Sequence, residues 1–223
     1  MDLGKSSIWD SVTGFGGDGE AGGPLGVGGG RCVTDGPFTQ LRPIWFNHSY
    51  VPHCISRRFN DNDTIGRLRS EDFSPEWIGA IKRSRTYNKF MRHIELHLHN
   101  VMHHSIGGDF MVRTAANGKW SKPGRIYILA DQRRLFGTNT RLGGLRTTDP
   151  VFYLHHAQID HLWWQWQQEN RSKRIYEYTG KQTKTATSDD ASLDKLLRYG
   201  GFVDDIPVRQ VMDTEGGFLC YRY

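Results

Sequence analysis

Two histidines, His99 and His103, stand four residues apart in the stretch LHNVMHHSIGGDF. On a helix that step puts both imidazoles on one face, one turn apart, so that a nitrogen from each can reach the same metal ion. A third imidazole is available in DPVFYLHHAQIDHLWWQWQ, where His156 is followed four residues later by Asp160. A carboxylate one turn away can help to fix a helix face through bonds behind a ligand. The adjacent His155 points about 100° away on a regular helix and is expected to hydrogen-bond a neighbouring group. Three neutral imidazoles from two helices suit copper or zinc. The alternative is a set of solvated or hydrogen-bonded histidines, and spacing does not decide between the two. His93 and His97 share the four-residue step, on a face rotated away from the His99 pair. A zinc-protease motif fails, because it requires Glu directly after the first His and Asn100 stands there.

The elements that would carry these side chains can be read from their caps. Ser74 is a suitable N-cap, followed by Pro75 at the first helical position and Glu76 near the positive end of the helix. After a break near Ser84, TYNKFMRHIELHLHNVMHH has few helix breakers and stops at Gly107-Gly108. Asp149-Pro150 opens a second strong helix with the same cap logic, running to about Asn170. Between them, residues 111–148 have many turn residues and little periodicity, and are expected to form a long loop with a short strand at RIYIL. Residues 14–30, GFGGDGEAGGPLGVGGG, form a glycine-rich loop that cannot hold regular structure. The formal G-x-G-x-x-G at Gly14, Gly16 and Gly19 lacks the strand and helix that a dinucleotide site needs. CVTDGPF reads as a turn. The tail from Leu193 suggests a short helix and then extended, aromatic-rich segments.

The totals remove several functional classes. The chain has 223 residues, enough for one large or two small domains, and no apolar run long enough to span a bilayer. The start, MDLGKSSIWD, lacks a basic region and an apolar core, so no signal peptide is expected at Met1, and secreted and cytoplasmic settings both stay open. The net charge is +5, but the 29 basic residues are dispersed among 24 acidic ones and carry no RNA-binding signature, so a solvated surface accounts for them. The three cysteines, Cys32, Cys54 and Cys220, form no CxxC pair, which excludes zinc-ribbon and thioredoxin-like readings. Glycosylation sequons at Asn47, Asn62 and Asn170 matter only for a secreted chain.

LHNVMHHSIGGDF followed by DPVFYLHHAQIDHLWWQWQ closely resembles the second copper-binding half of tyrosinases, catechol oxidases and molluscan haemocyanins. FGGDGE, CVTDGPF, HCISRRFN and the terminal FLCYRY resemble fungal tyrosinase-like proteins in particular. The resemblance covers most of the chain apart from residues 111–148. It implies a mainly α fold: the CuB half of a type-3 copper four-helix-bundle core, with long Gly-rich and irregular loops and a few short strands. The whole chain, 1–223, would be the C-terminal, CuB half of a tyrosinase copper-binding domain. Residues 1–73 would be a loop-rich connecting region, 74–170 the CuB helices with the long loop at 111–148, and 171–223 a C-terminal core segment.

Residue by residue, the resemblance implies that His99, His103 and His156 bind one copper, CuB. Phe152 matches the phenylalanine that packs over the copper pocket. Asn100 matches a position that orients a water acting as base in phenol-hydroxylating members, and Glu95 stands where some members hold that water with a glutamate. His155 and Asp160 would support the ligands from behind. The implied reaction is oxidation of phenols or o-diphenols to o-quinones with O2, the quinones polymerising to melanin-like pigment. The implied partners are a phenolic small molecule and O2, with no nucleic acid and no membrane.

The chain departs from the family pattern in three respects. Where the family has Arg after the helix aspartate, this chain has His161. The interval between His103 and Asp149 is longer than the pattern. The family reaction also uses two coppers, each held by three histidines, and the first histidine here is His48. His48 and His53 are poor stand-ins for ligands of a first copper. Met1 is therefore expected to be an internal methionine of a longer protein, and a second copper is expected only if the CuA half is supplied, for example by a CuA-bearing partner chain. On the same reading Cys32 and Cys54 would bridge, leaving Cys220 alone. The tryptophan-rich face carrying Trp163, Trp164 and Trp166 would lack its opposite layer and favour association.

Overall fold

In the computed structural model of the chain, residues 2–46, 49–110, 149–180 and 190–223 are described. The expected loop at 111–148 and its strand at RIYIL lie outside them, as does His48. The described residues divide into two compact units. The first takes in the residues up to Trp77, those from His97 to Phe110 and those from Asp149 to Ala157. The second takes in Ile78–Leu96 and the residues from Gln158 to Tyr223.

The helices fall where the caps put them. Helix α1 spans Pro75–Lys82, and the Trp77 N–H donates to Ser74 Oγ at 3.3 Å. Helix α2 spans Tyr87–His93, with the Thr86 side chain accepting from the Lys89 N–H. The chain then continues as a π-helical segment, Ile94–His99, before returning to α geometry in α3, Asn100–Ile106. That widened stretch is not visible in the residue pattern, and segments of this kind are often found at functional sites. Gly107, at φ 67°, ends the helix. Helix α4 spans Val151–Gln168, its first N–H donating to Asp149 Oδ1 at 3.0 Å. A single further turn covers Arg171–Arg174.

In the first unit the glycine-rich stretch forms turns, as its composition requires. CVTDGPF is in part a strand. β1 (Arg31–Cys32) pairs antiparallel with β4 (Ser56–Arg57), and a small hairpin joins β2 (Trp45–Phe46) to β3 (Ser49–Tyr50). A disulfide between Cys32 and Cys54 closes this region, and Cys220 is free and exposed. The core packs Trp9, Phe59 and Leu68 against Ile106, Phe110, Val151 and Phe152, uniting residues from loops and from both histidine-bearing helices. Gly108 shows how tightly this is built. Its φ is 54°, and a Cβ there would lie 2.0 Å from the Ser56 carbonyl oxygen, so the turn after α3 sits directly on β4.

In the second unit the tryptophan-rich face has its covering layer, contrary to expectation. Trp163 and Trp166 are buried. The Trp166 ring stacks on Phe90 of α2 at 4.9 Å, lies beneath the Arg174 guanidinium, and donates its indole N–H to the Ser84 carbonyl at 2.7 Å. The α1–α2 break at Ser84 thus supplies the acceptor that a buried indole needs. The short helix expected after Leu193 is also absent. Leu196–Leu197 form β5, paired antiparallel with β6 (Ile206–Pro207), because Val208 and Arg209 donate back to the Lys195 and Leu193 carbonyls that a helix would use. No described helix is long and apolar enough to cross a membrane.

Candidate metal centre

The π-helical segment and α3 deliver His99 and His103 from one side, and the first two turns of α4 deliver His155 and His156 from the other. Each of the four offers one ring nitrogen, and these nitrogens all lie within 4.8 Å of one another. His99 Nε2 and His103 Nε2 are 3.1 Å apart. A metal–imidazole bond of about 2.0–2.1 Å places two donors of one tetrahedral ion about 3.3 Å apart, so this pair is already spaced for a shared ion.

The surroundings fix each ring. His103 Nδ1 donates to the Phe110 carbonyl at 2.6 Å, which leaves Nε2 as the lone-pair nitrogen facing the cluster; the tautomer is assigned from these partners. Phe110 is held in turn by its neighbour. The Asp109 carboxylate accepts from the Ser56 N–H at 2.7 Å, from Ser56 Oγ and from His53 Nε2 at 2.8 Å, anchoring the turn to β4. Phe152 packs its ring 3.9 Å from that of His156 and 6.0 Å from that of His103, closing the cluster with an apolar wall.

Burial decides the charge state. It pushes the His103 and His155 imidazoles well below their ordinary pKa, with the neighbouring rings adding to the effect, and it lowers His156 to about 3. These rings are therefore neutral near pH 7, the state in which imidazole binds a metal. His155 Nε2 and His156 Nε2 are buried with no hydrogen-bond partner. A buried polar atom left unpaired costs about 1–3 kcal/mol, so two such nitrogens on rings of one imidazole cluster favour a shared ligand. The donor set fits a copper ion: imidazole nitrogens, no carboxylate, an apolar aromatic wall.

Residues 4–169 match the family model described as the common central domain of tyrosinase. The chain belongs to the tyrosinase family. It is 54% identical over its full length to the tyrosinase-like protein phomQ2 of Diaporthe leptostromiformis, and 48% identical to the tyrosinase ustQ of Aspergillus flavus. It covers 49% and 53% of those two proteins, so the chain spans about half the length of the curated relatives it matches. A polyphenol oxidase from Thermothelomyces thermophila superposes with a TM-score of 0.67 over all of this chain and 62% of that one. The sequence identity is 21%, a likeness of fold. Its mainly helical architecture with irregular loops agrees with that of the polyphenol oxidase.

The structure gathers the expected residues unevenly. His99, His103 and His156 converge, and Phe152 covers them. Asn100 opens α3, half-buried, and Glu95 lies half-buried on the π-helical segment outside the imidazole cluster. His155, expected to point away, is inside the cluster, its ring parallel to that of His99 at 5.6 Å. Two neighbours about 100° apart straddle the direction of the facing helix, so both rings reach the same centre. Asp160 does not serve His156. Its carboxylate accepts from the hydroxyls of Tyr221 and Tyr223, while His161 stacks on Tyr223 at 4.6 Å. His93 and His97 have other neighbours, Ser84 and the stacked Trp77 ring.

Proposed function

We propose that this chain is the CuB half of a tyrosinase-like oxidoreductase, in which His99, His103 and His156 hold one copper ion. The reaction assigned to the assembled protein is the family's oxidation of phenols or o-diphenols to o-quinones with O2. The observation that carries the reading is the convergence of four imidazoles in one cluster, two of them with Nε2 buried and unpaired. Bound copper would supply the redox couple for the reaction with O2; the protein's part is to hold neutral nitrogen donors in a dry pocket. Phe110 orients His103 through its carbonyl, and Phe152 bounds the pocket where a phenol ring would pack. Asn100, directly after the first ligand, is assigned the orientation of a water that accepts the phenol proton, with Glu95 holding that water.

A second copper would come from the CuA region, carried by a longer form of the protein or by a partner chain. The described residues contain a single metal-competent cluster, which favours a second reading: alone, the chain is a non-catalytic, mononuclear copper-binding half. Copper analysis combined with a catechol oxidation assay separates the two. The first reading expects one copper in this chain and quinone formation once a CuA-bearing chain is added. The second expects one copper and no quinone under either condition. A chain that takes up no copper overturns both.

A further inference from the structure

We propose that His53 is a positioning residue for the metal centre: its Nε2–H fixes the Asp109 carboxylate, and Asp109 sets the neighbouring Phe110 carbonyl that orients His103. The proposal rests on the copper reading of the imidazole cluster and goes beyond it by giving a function to a histidine outside that cluster.

The side chains of His53 and Asp109 are 5% and 1% exposed, and they meet at 2.8 Å between Nε2 and Oδ1. A carboxylate accepts, so the proton of this contact sits on His53 Nε2; the tautomer is assigned from these partners. On the other edge of the ring Nδ1 faces the Val51 carbonyl oxygen at 2.5 Å, and the His53 backbone N–H donates to the Pro43 carbonyl at 2.9 Å. Phe46 of the β2–β3 hairpin lies edge-on to the ring at 6.1 Å. Both ring nitrogens are taken up by oxygen atoms of the fold, which suits a clamp and not a metal ligand.

Asp109 is gripped on both of its oxygens. Oδ2 accepts from the Ser56 N–H at 2.7 Å and from Ser56 Oγ at 3.3 Å, both on β4, while Oδ1 accepts from His53. Donors on one oxygen alone let a carboxylate swing about that oxygen, whereas donors on both fix its plane and the backbone that bears it. The disulfide-bonded Cys54 falls between His53 and Ser56, so both donors sit on one braced segment.

One peptide beyond Asp109, the Phe110 carbonyl accepts from His103 Nδ1 at 2.6 Å. The turn between them closes through the Gly107 N–H to the His103 carbonyl at 3.1 Å and the Phe110 N–H to the Gly107 carbonyl at 2.9 Å. Loss of the His53 contact lets the Asp109–Phe110 peptide rotate and its carbonyl leave Nδ1. The His103 proton can then move to Nε2, the nitrogen that must be bare to bind a metal. His53 acts on the ligand through two intervening residues, so an effect of about tenfold on copper affinity is expected.

Nitrogen NMR of the isotope-labelled, metal-free chain reads the tautomers directly, and a copper titration reads the consequence. The proposal expects wild-type His53 to carry a proton on Nε2 and His103 to carry its proton on Nδ1. In His53→Phe, which keeps a ring beside Phe46 and removes the N–H, His103 should shift toward the Nε2–H tautomer and copper affinity should fall about tenfold. His53→Gln, which can still donate an N–H to Asp109, should restore both in large part. A His53→Phe protein that is less heat-stable but keeps the His103 tautomer and copper affinity of wild type overturns the proposal and leaves His53 a purely structural residue. Should His53→Phe not fold, the wild-type spectrum still decides: a His103 ring protonated on Nε2, or a His53 ring without a proton there, overturns the proposal. Failure of the wild-type chain to bind copper overturns the copper reading, while the tautomer comparison stands or falls by itself.

Discussion

Arg57 and Asp149 form a two-pronged ion pair sealed from solvent, with Nε–Oδ2 at 2.7 Å and Nη2–Oδ1 at 2.9 Å. The remaining guanidinium N–H groups donate to the carbonyls of Phe15, Gly16 and Gly17, and Asp149 also caps the first turn of α4. One arginine on β4 thus ties the glycine-rich loop to the helix start that carries His155 and His156. The geometry is fully satisfied on both sides, the condition under which a buried pair is tolerated.

Removing one partner leaves an uncompensated buried charge. Asp149→Ala and Arg57→Met should each cost about 3–5 kcal/mol in urea denaturation, and the Arg57→Met/Asp149→Leu double variant should be less destabilised than the sum of the two. Single variants within about 1 kcal/mol of wild type would contradict the structural role given to the pair.

The Cys32–Cys54 bridge closes a loop of sequence separation 22 beside β4. Loop-closure entropy gives such a bridge about 3 kcal/mol. Reduction, or Cys32→Ser, should lower the unfolding free energy by that order, while Cys220→Ser, at an exposed free thiol, should change it by less than about 0.5 kcal/mol. Thiol titration of the non-reduced protein should find one thiol per chain; three would refute the bridge.

Gly108→Ala should be poorly tolerated. The position has φ 54° and the new methyl would lie 2.0 Å from the Ser56 carbonyl oxygen. A loss of about 2 kcal/mol or more is expected. Because the same turn presents the Phe110 carbonyl to His103, metal affinity should fall with it. Unchanged thermal stability and unchanged affinity would count against this placement of the turn.

Acid should destabilise the metal-free protein. Burial keeps His103, His155 and His156 neutral in the folded state, His156 down to about pH 3, whereas in the unfolded chain each takes up a proton near pH 6.5. The unfolded state therefore binds more protons between those limits, and stability rises with pH across the window. It is fully present above 6.5 and declines on acidification, with a slope approaching about 1.4 kcal/mol per pH unit for each imidazole. Urea titrations of apoprotein from pH 7.5 to about 4.5 check this; a flat profile would mean that the rings are solvated and charge freely in the fold.

The boundaries of the histidine-bearing helices are legible in the sequence, and the distant pairings are not. Ser74, Asp149 and Gly107 act on neighbours within four residues, and the helices they delimit are where the pattern puts them. His99 and His103 follow the same local rule. His155 could not be placed by that rule, since a single helix says how two adjacent rings diverge and not where a facing helix collects them. Arg57 and Asp149 are 92 residues apart, and neither residue type announces the other. Trp166 looked exposed because its cover, Phe90 and the Ser84 carbonyl, comes from a helix more than seventy residues earlier. The helix expected near Leu193 had adequate local propensity and lost to pairing with Ile206–Pro207, a tertiary override of a weak prior.

The most direct test of the account is a copper titration of the metal-free chain, read by equilibrium metal content and by Cu(II) electron paramagnetic resonance, with His99→Ala, His103→Ala and His156→Ala alongside. The account expects one ion per chain with imidazole-nitrogen hyperfine structure, and loss of that signal in each variant while helical circular dichroism persists. Absence of stoichiometric binding by the wild-type chain, or binding untouched by all three substitutions, would contradict it.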